Sequence, residues 1–163
     1  MFTRVRSRTA AWMILAAGLA AAMGYAQEAT PSAGAAKIGQ LTKASGYEFT
    51  QKTDSVWAAD FQGKNLKHFR LIVAVQEDVL VTFVTVAEKA RMPVTTGFMH
   101  RLLRFNSKLD RVKIGYDDDG DLFVRCDASV RVLDAQEFHS IMDQVSAATD
   151  EVYKGIADSL IPE

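Results

Sequence analysis

Two stretches of this chain are apolar at nearly every position, Phe69–Gln76 (FRLIVAVQ) and Val79–Val86 (VLVTFVTV). Both are rich in β-branched residues, and only Glu77-Asp78 separates them, so they form an antiparallel hairpin. Strands apolar on both sides belong in the middle of a sheet, with helix on one face and some other cover on the opposite one. Around this centre the pattern alternates with period two. Tyr47–Thr53 sets Tyr47, Phe49 and Gln51 against Glu48, Thr50 and Lys52, the pattern of a half-buried strand. Asp54-Ser55 turns the chain into a short strand, Val56–Phe61, which carries Trp57, and Gly63-Lys64-Asn65 turns it again. Further on, Val112, Ile114 and Tyr116 alternate with Arg111, Lys113 and Gly115. Leu122, Val124 and Cys126 return after Asp117-Asp118-Asp119-Gly120, and Asp-Gly is a favoured hairpin turn.

Helical spacing appears in three places. Lys37–Ala44 puts Ile38 and Leu41 on one side, and Gly46 stops it. Pro93 suits a first helical turn, after which Val94, Phe98, Leu102, Phe105 and Leu109 form one apolar stripe. Met99 flanks that stripe and Leu103 lies well off it, which marks a helix that is deeply packed or part of an interface. Arg101, Arg104 and Lys108 take the solvent side, and Asn106 sits near the helix end. Asp134 followed by Glu137 opens the last helix in the manner of a capping box. Its stripe of Phe138, Ile141, Met142, Val145, Thr149, Val152, Ile156 and Leu160 predicts a rod of roughly 40 Å. The order is helix, four strands, helix, two strands, helix: an α+β domain with an antiparallel β-sheet packed with helices.

The first residues change the picture of where the domain begins. Arg4, Arg6 and Arg8 precede a short apolar run, Ala10–Met23, and Gly24-Tyr25-Ala26 offers small residues at the two positions a signal peptidase reads. The expectation is a signal peptide over residues 1–26, cut after Ala26, then a flexible leader over 27–36 and one domain over 37–163. The alternative, a retained membrane anchor, is disfavoured because the run falls short of a ~20-residue span. Cleavage leaves 137 residues with 16 Lys and Arg against 20 Asp and Glu, a net charge of −4. Such a chain has no electrostatic reason to seek nucleic acid or an anionic membrane. Cys126 is the only cysteine, so no internal disulfide can form in a periplasmic or secreted setting. Its alternation with Leu122 and Val124 makes it a small core residue.

Catalytic motifs are missing. The acidic run at Asp117–Asp121 fails the register of a calcium-binding loop, because Gly120 falls at position four and Ala128 at position twelve. His68, His100 and His139 stand alone, without a metal-ligand spacing. No phosphate-binding loop, GxSxG or SxxK pattern occurs. No catalytic residue, cofactor or metal is therefore expected, and the remaining candidates are surface residues. Trp57, near a turn, is either an interaction residue or buried against a helix. Arg101, Arg104, Lys108, Arg111 and Lys113 form a basic group that is either a solvated face or a contact for an anionic partner.

The segments WAADFQG, FRLIVAVQEDVLVTFVTV, LLRFNSKLDRVKIGYDDDGDLFVRCD and AATDEVY together resemble the YbjN-domain family over about Lys37 to Leu160. The closest local likeness runs through Leu102-Leu103-Arg104-Phe105-Asn106, then Lys113-Ile114-Gly115 and the Asp119-Gly120 turn, with Asp150 as a further match. These are bacterial proteins described as sensory-transduction regulators, structurally similar to type III secretion chaperones. The resemblance implies an α-β-β-β-α-β-β-α sandwich, commonly dimeric, that binds other proteins, and it carries no catalytic residue. The export signal sets this chain apart, since secretion chaperones act in the cytoplasm. The leading expectation is a homodimeric module holding an unidentified protein or peptide, with Trp57, Met99, Leu103, Arg104, Asn106 and Lys113 as the candidate interaction surface. The rival is a small-ligand sensor or carrier with a pocket lined by Phe98, Leu102 and Phe138.

Overall fold

The computed structural model describes residues 32–93 and 95–162. The expected signal peptide and its cleavage point, with leader residues 27–31, lie outside the described residues, as does Val94 of the expected apolar stripe. Helix α1 (Ala33–Ala44) begins four residues earlier than the sequence pattern suggests, which takes residues 33–36 out of the leader. Its start is set by Ser32, whose side chain accepts the Ala35 N–H at 3.1 Å. Gly34 then permits close approach, since a Cβ there would lie 3.3 Å from a Val75 methyl. Gly46, at φ +79°, supplies the left-handed residue just after the helix.

Among the described residues six strands follow: β1 (Thr50–Thr53), β2 (Val56–Phe61), β3 (Phe69–Gln76), β4 (Val79–Ala87), β5 (Lys113–Tyr116) and β6 (Leu122–Ser129). They make one sheet in the order β1-β2-β3-β4-β6-β5, antiparallel throughout. The two doubly apolar strands take its centre, as their pattern requires. β1 is shorter than expected and exposed along its length. Tyr47 and Phe49 precede the ladder and pack as aromatic cover, Tyr47 on Phe61 at 5.1 Å between ring centroids and Phe49 on Phe138 at 6.1 Å.

Helix α2 (Thr96–Asn106) starts after Pro93, not on it, because Thr95 caps it by accepting the Phe98 N–H at 3.2 Å. Phe98 and Leu102 are buried, while Phe105 and Leu109 are half-buried. Helix α3 (Ala135–Ile156) spans 22 residues, about 33 Å, and is capped by Asp134 accepting the Glu137 N–H at 2.8 Å. The Glu137 side chain does not return to the cap; it pairs with Arg111. A 3₁₀ turn over Ala157–Ser159 ends the helix short of Leu160.

The three α-helices of the described residues lie on one face of the sheet: α3 across β4 and β6, α1 against β3, α2 against β5. Their inward residues form one core with Trp57, Leu71, Val73, Leu80, Val84, Ile114, Val124 and Cys126. Phe98, Leu102 and Phe138 are 3%, 6% and 1% exposed within that core. The residues expected to line the rival reading's pocket thus belong to the hydrophobic core between sheet and helices. No helix of the described residues is long and apolar enough to cross a membrane.

Candidate functional site

The sheet's second face is the unusual surface. Strand register places Val56, Ala74 and Val81 in one row across β2, β3 and β4. Ala58, Ile72, Phe83, Arg125 and Lys113 make the next row, now running to β6 and β5. Asp60 and Arg70 pair in the row beyond, where Phe123 stands opposite Thr85 and Gly115. Ala58 and Val81 are buried yet stand outside the helix-side core, while Ile72, Ala74, Phe83 and Phe123 are half-buried by one another. A cleft of about 410 Å³ opens on this face, lined by Ala74, Gln76, Val81, Phe83, Thr85, Phe123 and Arg125 with Tyr116, Asp117 and Asp118 at its rim. Every wall of it is strand or hairpin turn.

Gly115 makes room for the Phe123 ring on this face. A Cβ there would stand 2.8 Å from the Phe123 ring, so the ring lies over the bare glycine of its cross-strand neighbour. Two ionic groups frame the apolar band. Asp60 accepts from Arg70 Nε at 2.8 Å and from its second nitrogen at 3.1 Å. At the other side Asp127 takes Arg125 Nε at 2.6 Å and Lys113 Nζ at 2.5 Å. Burial pushes the Asp127 carboxyl up, but the hydrogen bonds from Arg125 and Lys113 outweigh it and hold the group below the usual carboxylate range.

The residues singled out from sequence fall in four different places. Trp57 is 4% exposed, its ring packed beside Gly39 of α1, so it is core and offers no surface. Met99, Leu103 and Arg104 do share the outer side of α2, with Leu103 66% exposed and Met99 receiving the Tyr116 hydroxyl at 3.3 Å. Asn106 is a lock: its Oδ1 accepts the Ile114 N–H at 2.7 Å and its Nδ2 donates to Ile114 O at 3.0 Å. It occupies the outer edge of β5 as a neighbouring strand would. Lys113 alone reaches the open face. The basic group also divides. Arg111 pairs with Glu137, Lys113 with Asp127, and Arg101 donates to Gly155 O and Ser159 Oγ at 3.2 and 2.9 Å. Arg104 and Lys108 line a separate groove with His100. Cys126 is buried, and burial pushes its thiol pKa up. Phe83, Ile72 and Phe123 were not singled out, although the doubly apolar pattern of β3 and β4 contained the first two.

No family model matches the sequence, and no curated protein matches it. Solved structures do. A chain of the heterodimeric ExoU–SpcU complex from the type III secretion system of Pseudomonas aeruginosa is 19% identical with a TM-score of 0.53, over 77% of this chain and 99% of that one. YbjN of E. coli is 15% identical with a TM-score of 0.55, over 79% and 96%. A chain of the ExsC–ExsE complex is 11% identical with a TM-score of 0.51, over 74% and 90%. The fold is YbjN-like and type III secretion chaperone-like. Within this YbjN-like fold the motif residues turn out to be structural. Asn106 locks α2 to β5, Gly115 makes room for Phe123, and Asp150 holds the β2–β3 loop by accepting the Asn65 and Leu66 N–H groups at 2.7 and 2.9 Å.

Proposed function

We propose that this protein is an exported, non-catalytic protein-binding module that works as a homodimer and holds a segment of a partner protein on the open face of its sheet. The observation that carries the reading is the band of half-buried Val56, Ile72, Ala74, Phe83 and Phe123, with Ala58 and Val81 buried among them, an apolar face that no helix of the described chain covers. Contiguous apolar surface on a soluble domain marks a place of contact. The fold agrees with this use, since ExoU–SpcU and ExsC–ExsE are complexes of two proteins. Export rests on the basic and apolar pattern of the first 26 residues. Self-association rests on Met99 and Leu103, exposed on α2 beside Arg104.

The test is capture from the native host's exported fraction with the wild-type chain and with Phe83→Glu. The reading expects at least one protein that is held by the wild type and lost by the variant, while the thermal midpoints of the two agree within a few degrees. Identical captures refute it. Light scattering on wild type and Leu103→Glu addresses the dimer: a monomeric wild type at micromolar concentration removes that part.

A further inference from the structure

The open face is not electrically neutral around its rim. Arg70 is held by Asp60, and Arg125 and Lys113 share the one carboxylate of Asp127, so each cation nearest the apolar band already has a partner within the chain. Asp117 and Asp118, at the rim of the cleft beside Phe123, form no ion pair among the described residues. The turn that presents them is fixed. Asp117 Oδ1 accepts the N–H groups of Asp119 and Asp121 at 3.1 and 2.8 Å, Gly120 takes φ +90°, and Asp121 Oδ1 accepts the Lys89 N–H at 2.8 Å. One end of an apolar floor thus carries two negative charges that no ion pair among the described residues reaches, with the aliphatic chain of Lys89 packed on Gly120 of the same turn.

We infer that the open face takes an extended segment of another protein in which apolar residues are followed by a lysine or arginine, the apolar side chains lying over Ile72, Phe83 and Phe123 and the basic one reaching Asp117 and Asp118. This rests on the protein-binding reading and names the chemistry of the partner. Dimensions fit. The band runs from β2 across β3 and β4 to β6, three strand spacings, about 14–15 Å, and an extended chain rises ~3.3 Å per residue. About five residues cross it, presenting alternate side chains to the floor, and the next one or two reach the rim. A second copy of this chain is the poorer occupant. Two such faces laid together would bring Asp117 and Asp118 against a surface whose neighbouring cations are already taken.

Two synthetic peptides test this on the full mature chain. One is a labelled nine-residue sequence of alternating Val and Ser ending in Lys-Lys, and the other is identical but ends in Glu-Glu. Fluorescence anisotropy is measured at 50 and 500 mM salt, with wild type, Phe83→Glu and the double variant Asp117→Asn/Asp118→Asn. Asparagine keeps the Oδ1 acceptor that holds the turn, and circular dichroism checks that both variants fold. The expected result is about tenfold tighter binding of the lysine peptide at low salt, in line with two exposed charge pairs. That preference is reduced at high salt, lost in the double asparagine variant, and both peptides are released by Phe83→Glu. Equal binding of the two peptides, abolished by Phe83→Glu, overturns the charge assignment and leaves the protein-binding reading standing. A lysine preference that survives in the double asparagine variant also overturns it, as does failure of the lysine peptide to bind. A wild-type dimer that Phe83→Glu converts to monomer assigns the face to a second copy and refutes the inference.

Discussion

Removing the Asp150 carboxylate should unfasten the loop between β2 and β3 at a cost that can be worked from its geometry. Asp150 projects from α3, and its Oδ1 accepts the N–H groups of Asn65 and Leu66 at 2.7 and 2.9 Å while Oδ2 accepts Asn65 Nδ2 at 2.7 Å. The loop closes on itself through Gly63 N–H to Leu66 O at 2.9 Å, and a Cβ at Gly63 would overlap the carboxylate. A hydrogen bond to a charged acceptor contributes ~1.5–3 kcal/mol where water is excluded and less where it is not. Three such bonds share one half-buried carboxylate, so Asp150→Ala costs about 2–3 kcal/mol. Asp150→Asn keeps the Oδ1 acceptor but sets an amide N–H₂ against that of Asn65, and costs about 1–2 kcal/mol. For a domain of this size those losses lower the thermal midpoint by about 8–12 °C and 3–8 °C. The pH dependence has a definite sign. Burial raises the Asp150 pKa, but the hydrogen bonds from Leu66 and Asn65 prevail and the carboxyl is lowered. Its contribution is present above the unfolded value of ~3.9 and is lost as pH falls through the folded one. Thermal unfolding by circular dichroism at pH 7 and pH 3 is the assay. The gap between wild type and Asp150→Asn should narrow on acidification; a gap that widens, or an Asp150→Ala midpoint within 1 °C of wild type at pH 7, refutes the reasoning.

Other positions give sharp outcomes as well. Gly155→Ala should destabilise by about 1–3 kcal/mol in chemical denaturation, because a Cβ there collides with the Phe105 ring packed on α3. Asn106→Ala should cost about 1–3 kcal/mol by the same assay, since it leaves the Ile114 N–H and C=O without partners. It should also raise self-association by light scattering, because the outer edge of β5 is then open. Tyr47, half-buried beside Phe61 and hydrogen-bonded to Asp143 at 2.9 Å, has its pKa pushed up to about 12 by partial burial and then by Asp143. Burial raises the Tyr116 pKa as well, so absorbance titration at alkaline pH should separate the two: Asp143→Asn moves Tyr47 downward and leaves Tyr116 where it is. Stability linked to Tyr47 is intact below the unfolded value of ~10 and is lost as pH climbs through the folded one.

Local chemistry carried much of this architecture into the sequence. Glu77-Asp78 admitted only a hairpin between β3 and β4, Asp134 announced the start of α3, and Asp119-Gly120 fixed the turn between β5 and β6. Long-range choices were less visible. Tyr47 and Phe49 read as strand residues because alternation looks the same whether a ladder or a helix face receives the rings. Trp57 sat on a strand beside a turn, and only the position of α1, whose Gly39 lies against the Trp57 ring, decided that it is core. The open face was half legible. Its existence followed from β3 and β4 being apolar on both sides, but Phe123 joins it only because Gly115 lies directly opposite, a pairing set by register. Asp117 and Asp118 read as a solvated turn, and nothing in the sequence places them on the same cleft as Phe83.

The order β4-β6-β5 has a consequence for synthesis. β1 to β4 can assemble as a meander as they are made, but the outer side of β4 is paired by β6, which arrives only with Leu122–Ser129. In the interval a growing chain presents Val79–Ala87 as a bare, greasy margin, the template most prone to join a second nascent copy. Chains interrupted before Leu122 are therefore the ones expected to clump, and the late hairpin is what makes the finished molecule safe to release.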